Sequence, residues 1–107
     1  MRCTGVSWTT DPTWFPPHCK SPHPFPARSQ AERLVWNVPR DHGREVRVVA
    51  WTCECGNPFY ELCQAGGQRF IRCTRNGPNK PVVDESGRWN AGQANAQWAA
   101  LLLGLVR

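Results

Sequence analysis

The stretch PFYELCQAGGQRFIRCT, residues 58–74, decides the fold. Two runs that contain aromatic and β-branched residues flank Gly66-Gly67, and paired glycines between such runs are a strong signal for a two-residue hairpin turn. With these glycines in the turn, the register of the two strands is set. The predicted cross-strand pairs are Ala65–Gln68, Leu62–Ile71 and Tyr60–Cys73.

Alternation of side chains along a strand divides the hairpin between two faces of a sheet. One face carries Tyr60, Leu62, Ile71 and Cys73. The other carries Phe59, Glu61, Cys63, Phe70 and Arg72. The first face is the more apolar, so we expect the core to lie there.

Strand signals continue on both sides of the hairpin. Val46–Cys53 is rich in β-branched and aromatic residues, and Val82-Val83 is a short run that follows the turn-forming Asn76–Asn79. Pro81 marks that run as an edge strand because proline cannot donate a ladder hydrogen bond. The sequence therefore predicts an antiparallel β-meander of three to four strands over residues 45–85.

A C-terminal amphipathic helix is predicted to cover this sheet. Asn90 is a favourable N-cap, and Gln93 completes a pair of the capping-box type. The apolar residues that follow at helical spacing are Ala94, Trp98, Leu101, Leu102 and Leu105. The predicted fold class is α+β, in which the C-terminal helix packs on the meander.

The N-terminal residues 1–28 differ from the rest in composition, with six prolines between positions 11 and 26. Proline at this density excludes a helix or a central strand. We expect an extended Pro- and aromatic-rich arm over residues 1–28, ahead of one α+β domain over residues 29–107. The capping-box spacing of Ser29 and Glu32 predicts a short helix over about 30–37, and a strand over Leu34–Val38 is the alternative.

Composition limits the function classes. The chain of 107 residues has a net charge of +5 and no apolar signal-peptide core at its start. Its longest apolar tract, Trp98–Val106, is far shorter than the roughly 20 residues that span a bilayer. We expect a cytoplasmic protein with no membrane partner, in which the six cysteines are thiols or metal ligands rather than disulfides.

Cysteine is the densest chemistry in the chain. Zinc takes three or four thiolate or imidazole ligands, and Cys53, Cys55 and Cys63 are the candidate set. The hairpin register places Cys63 and Cys73 on opposite faces, so those two cannot share a metal. The alternative is that the cysteines are small buried hydrophobic residues. Apart from this zinc, no cofactor is predicted.

A second cluster lies in the arm, where His18, Cys19 and His23 could act with Cys3, although no known metal-site spacing matches. A thiol enzyme would need a cysteine beside a histidine and an acid, and Cys55 could act with His42 and with Glu54 or Glu61. No established catalytic motif supports that assignment. We therefore assign no catalytic residue and favour a non-enzymatic role.

Arginine and aromatic residues alternate on the hairpin. The candidate binding residues are Phe59, Arg69, Phe70, Arg72 and Arg75. Arginines interleaved with aromatic rings on an open sheet face are typical of surfaces for single-stranded nucleic acid or an acidic protein. The alternative is a solvated face on which Glu61 neutralises Arg72 across the ladder.

The segments Tyr60–Arg72, Trp98 and Leu101–Arg107 resemble small uncharacterised proteins of GC-rich actinobacteria. The resemblance covers residues 45–107 and leaves the arm unmatched. It implies a bacterial cytosolic origin and no activity.

The sequence thus predicts a small basic binding module that contacts nucleic acid or a protein of the transcription or regulatory machinery. A zinc-stabilised domain is one alternative, and a cysteine-dependent enzyme or small-molecule binder is another. The oligomeric state stays open.

Overall fold

A computed structural model describes residues 21–39 and 45–107. In this part of the chain the elements are β1 (Arg47–Trp51), β2 (Phe59–Ala65), β3 (Gln68–Arg75), β4 (Val82–Glu85) and α1 (Ala91–Leu102). The strands form one antiparallel sheet in the order β1-β2-β3-β4. The predicted α+β meander with a C-terminal helix is confirmed.

The β2–β3 hairpin has the predicted register, in which Leu62 pairs with Ile71 and Tyr60 with Cys73. Gly66 has a φ of 63°, a left-handed conformation that glycine adopts without steric cost. Leu62 and Ile71 are 2% and 0% exposed, so the pair lies at the centre of the core. The core cluster consists of Tyr60, Leu62, Ile71, Cys73, Ala94, Trp98, Leu101 and Val106.

Helix α1 supplies the other side of this core. Its N-terminus has the predicted capping box, in which Gln93 N donates to Asn90 Oδ1 at 2.8 Å and Asn90 N donates to Gln93 Oε1 at 3.4 Å. Ala94, Trp98 and Leu101 are its buried residues. A large apolar side chain buried in this way stabilises the fold by about 1.5–3 kcal/mol.

The helix ends in a Schellman motif. Gly104 has a φ of 78° and its N donates to Leu101 O at 3.1 Å. Leu105 N donates to Ala100 O at 2.8 Å, so the last turn has partners for its carbonyls. This turn directs residues 105–107 back along the domain.

Residues 25–34 run beside that C-terminal segment. Phe25 N donates to Leu102 O, and Glu32 N donates to Leu105 O, both at 2.9 Å. Glu32 O in turn accepts from Arg107 N at 2.9 Å. The described part of the arm, through Phe25, and the residues that follow it, through Glu32, are therefore hydrogen-bonded to the C-terminal segment.

The predicted helix over residues 30–37 is wrong. The only regular features there are a turn at Ser29-Gln30 and isolated bridges at Glu32 and Asn37 within the described chain. Asn37 exchanges backbone hydrogen bonds with Glu85 at 2.8 Å. Backbone groups that a helix would use internally bond instead to distant segments, which the local capping-box spacing could not indicate.

Arg107 joins the arm, the helix and the core. Its Nη1 donates to Leu101 O at 2.7 Å, and its Nη2 donates to Phe25 O. The guanidinium carbon lies 5.9 Å from the centre of the Tyr60 ring. One side chain thus contacts three parts of the fold.

Helix α1 has 12 residues, and no helix in residues 21–39 and 45–107 is both long and apolar enough to cross a membrane.

We predict that Gly104→Ala lowers the free energy of unfolding by about 2 kcal/mol, because a Cβ is disfavoured at positive φ and would press against the Pro26 carbonyl. Gly92→Ala is the matched control. A Cβ there meets only Asn90 Oδ1 at 3.6 Å, so this helical substitution should stabilise by roughly 0.5–1 kcal/mol. Urea unfolding measures both, and equal effects of the two substitutions would contradict the Schellman assignment.

Candidate metal centre

The loop between β1 and β2 is fixed at its base by Thr52. This side chain is 1% exposed, and its Oγ1 accepts from Tyr60 N at 2.9 Å. Thr52 N also donates to Tyr60 O at 2.9 Å. Thr52 and Tyr60 therefore hold the two ends of the loop together.

The first half of the loop is a turn built from Cys53-Glu54-Cys55-Gly56. Gly56 N donates to Cys53 O at 3.1 Å, which closes the turn, and glycine is favoured at its last position. The reversal brings Cys53 Sγ within 3.2 Å of Cys55 Sγ. The C-x-C-G sequence thus places two sulfurs side by side.

His23 reaches these sulfurs from the arm. Prolines on both sides restrict its backbone, and Pro22 O accepts from Cys53 N at 3.0 Å. His23 Nε2 lies 3.2 Å from Cys55 Sγ, although the two residues are 32 positions apart. The backbone bond at Pro22 and the bond from Phe25 to Leu102 place the imidazole over the loop.

The three ligand atoms of His23, Cys53 and Cys55 all lie within 4.8 Å of one another, and the residues are half-buried. Two sulfurs bound tetrahedrally to zinc at about 2.3 Å would be about 3.8 Å apart. Their separation of 3.2 Å is roughly 0.6 Å shorter than that distance. Small side-chain movements would therefore accommodate an ion.

The oxidation state of the sulfurs decides whether a metal can bind. Cys55 is disulfide-bonded, whereas Cys53, Cys63 and Cys73 are thiols. The expectation that the cysteines avoid disulfides is therefore wrong at Cys55. A disulfide sulfur has no proton, so the Cys53 thiol and the His23 Nε2–H donate to it. A disulfide sulfur is also not a thiolate, and zinc binds the thiolate. His23, Cys53 and Cys55 can therefore all act as ligands only after the Cys55 disulfide is reduced.

Cys63, the third cysteine of the sequence-derived metal set, lies elsewhere. It pairs with Val48 in the sheet, and it is 0% exposed in a small cluster with Ala65 and Phe70. Val48 lies in β1 five residues before Cys53, and among the described residues Cys63 is not one of those whose ligand atoms converge with those of Cys53. The structure thus joins Cys53 and Cys55 to His23 instead of to Cys63.

Burial also makes Cys63 a poor ligand. Loss of solvation raises the pKa of its thiol to about 11, and Arg72 only partly offsets this effect. Burial raises the pKa of Cys73 in the same way. Cys63 and Cys73 therefore fit the alternative to metal binding, in which the cysteines are small buried hydrophobic residues.

The five candidate binding residues do not form one surface. Phe70 is 0% exposed and lies beneath the Arg88 guanidinium, 4.9 Å from ring centre to Cζ. Arg69 projects to the helix side of the sheet, where Nη1 donates to Asn95 Oδ1 at 2.9 Å. Arg75 is exposed on that same side by strand alternation. These three residues therefore cannot share an open face.

Phe59 and Arg72 do share the face opposite α1. Arg72 Nη1 lies 3.5 Å from Glu61 Oε1, as expected for the alternative in which Glu61 neutralises Arg72. Both side chains keep about a quarter of their surface exposed. Trp51 is opposite Glu61 in the register and is 52% exposed. Sequence reasoning missed Trp51 as a surface residue because the hairpin pattern alone did not include β1.

His23 was placed by sequence reasoning in a separate arm cluster with His18, Cys19 and Cys3. The last three, and His42 of the catalytic alternative, lie outside the described residues. Only the flanking prolines indicated that His23 is held rigidly.

No known protein family, curated protein or solved structure matches this chain.

We predict that stability falls as pH rises from about 9 towards 11. The folded state keeps the Cys63 thiol protonated up to about pH 11, whereas an exposed thiol ionises near pH 9, so alkali favours the unfolded chain. Chemical unfolding at several pH values measures the slope. Cys63→Ala should be less stable at neutral pH but flatter above pH 9, and an unchanged slope would contradict this origin.

Proposed function

We propose that this chain is a zinc-stabilised domain in which the metal joins the arm to the β1–β2 loop. The observation that carries the proposal is the convergence of His23, Cys53 and Cys55. Two thiolates and one imidazole form a donor set that binds zinc in preference to harder cations such as magnesium. The bound ion would hold segments that are distant in the sequence.

The fourth position of a structural zinc site requires another donor. Cys19 precedes His23 with three residues between them, a spacing in the range of zinc-ligand pairs, and the sequence thereby offers a donor from the arm. A water molecule is the other candidate for that position. Zinc with three cysteines and one histidine would be fully ligated by protein, which suits a structural role.

The energetic effect follows from the topology. The described part of the chain has eleven buried hydrophobic residues, divided between a cluster of eight and a cluster of three. A metal that cross-links His23 to Cys53 closes a long loop, and its binding energy adds to the folding energy.

We predict that the reduced protein, purified without a metal-affinity tag, binds one zinc ion per chain. His23→Ala and Cys53→Ser should abolish stoichiometric binding, because each leaves one donor fewer at the described cluster. Cys63→Ala is the matched control and should keep the zinc, since Cys63 lies outside that cluster. Elemental analysis and equilibrium dialysis give the stoichiometry.

Thermal melting provides the second readout. Free zinc at a thousand times Kd should stabilise the reduced chain by about 4 kcal/mol, and a chelator should reverse the effect. Substoichiometric zinc with a melting temperature unchanged by chelator would refute the proposal. Loss of zinc from Cys63→Ala with retention in His23→Ala would favour the sequence-derived ligand set.

A second function, contact with nucleic acid or an acidic protein, is favoured by Trp51. Its half-exposed indole lies on the face opposite α1, in the same cross-sheet row as Arg72. Bases stack on exposed aromatic side chains, and the net charge of +5 favours a polyanion. The zinc-stabilised domain would then act as a cytoplasmic binding module.

We predict that single-stranded oligonucleotides bind with an affinity that falls steeply with salt, because binding releases counterions. Trp51→Ala should weaken binding, and Arg72→Gln should reduce the salt slope by about one. Arg33→Gln removes the same charge from an exposed position outside the sheet and is the control. Fluorescence anisotropy measures each case, and binding that is flat between low and moderate salt would contradict this function.

A further inference from the structure

We propose that the metal centre is a redox switch, in which oxidation to the Cys55 disulfide releases the zinc and reduction restores the site. The inference rests on the proposed zinc site and concerns the regulation of that site. The oxidants in question are peroxides and low-molecular-weight disulfides. The reductants are low-molecular-weight thiols.

The first support is that the Cys55 sulfur takes part in the disulfide of the oxidised chain and in the proposed zinc site of the reduced chain. Cys55 is disulfide-bonded, yet its Sγ lies 3.2 Å from His23 Nε2 and 3.2 Å from Cys53 Sγ. The cluster is therefore assembled in the oxidised chain. Reduction would supply thiolates to donors that are already in place, so metal loading needs no large rearrangement.

The chemistry balances with a peroxide as oxidant. The Cys55 thiolate attacks a peroxide oxygen, the O–O bond breaks, and a sulfenic acid forms as hydroxide leaves. The thiolate of a second cysteine attacks that sulfur, the S–O bond breaks, and a second hydroxide leaves. Two protons convert the hydroxides to water, and two electrons have passed from sulfur to oxygen. Zinc leaves because the neutral disulfide no longer binds it.

A low-molecular-weight disulfide gives the same product by exchange. The Cys55 thiolate attacks the small disulfide and releases a small thiolate, and the thiolate of a second cysteine then displaces the other. Two small thiols and one protein disulfide result, with the electrons conserved.

The second support is selectivity. Cys63 and Cys73 are 0% and 1% exposed, and burial raises the pKa of both thiols. Oxidants react with accessible thiolates, so these two cysteines should stay reduced. Cys53 and the Cys55 loop are half-buried at the surface. Oxidation is thus directed to the metal cluster.

The test begins with reduced protein loaded with one equivalent of zinc and freed of excess metal and reductant. Hydrogen peroxide or glutathione disulfide is then added, and a chromophoric chelator reports released zinc. Alkylation and mass spectrometry report the state of each cysteine. We expect one zinc released per Cys55 disulfide formed, and rebinding of one zinc after dithiothreitol treatment and removal of the chelator. Cys63→Ala should switch like the original chain.

The outcomes separate the two proposals. If the reduced chain binds no zinc, the zinc site itself is refuted and the switch with it. If the reduced chain binds zinc but the oxidants leave it bound, the switch alone is refuted. Zinc release while Cys55 stays alkylatable would refute the switch as well, because the metal would then have left without the disulfide.

Discussion

The side-by-side packing of Leu62 and Ile71 is the contact on which the rest of the structure depends. Gly66 reverses the chain with a φ of 63°, and the resulting register puts both side chains beneath α1 at almost zero exposure. A shift of one residue would turn every hairpin side chain to the opposite face. The same register places Tyr60 so that its N donates to Thr52 Oγ1 and its O accepts from Thr52 N, and these two bonds fix the base of the cysteine loop.

The cluster of His23, Cys53 and Cys55 joins this local framework to a distant one. The C-x-C-G turn belongs to the β1–β2 loop, whereas His23 belongs to an arm held along residues 102–107 by backbone hydrogen bonds. Arg107 strengthens that attachment through Leu101, Phe25 and Tyr60. The site therefore depends on the C-terminal segment as well as on the sheet, and a metal there would stabilise both.

Sequence reasoning succeeded where local chemistry decides structure and failed where distant segments meet. The Gly66 turn and the Asn90 capping box follow from neighbouring residues, and the structure confirms both. The helix over 30–37 failed because Glu32 bonds to Leu105 and Arg107. Sequence reasoning named Cys53 and Cys55 as candidate ligands together with Cys63, but it could not join His23 to them, since only the fold brings His23 to the loop. The resemblance to actinobacterial proteins stays a prediction.

X-ray absorption at the zinc edge of the reduced, zinc-loaded protein tests the proposed centre most directly. We expect sulfur ligands at about 2.3 Å together with nitrogen at about 2.0–2.1 Å, and loss of the imidazole signal in His23→Ala. A shell of sulfur alone, or a spectrum unchanged by His23→Ala, would show that the ion is not held between the arm and the loop.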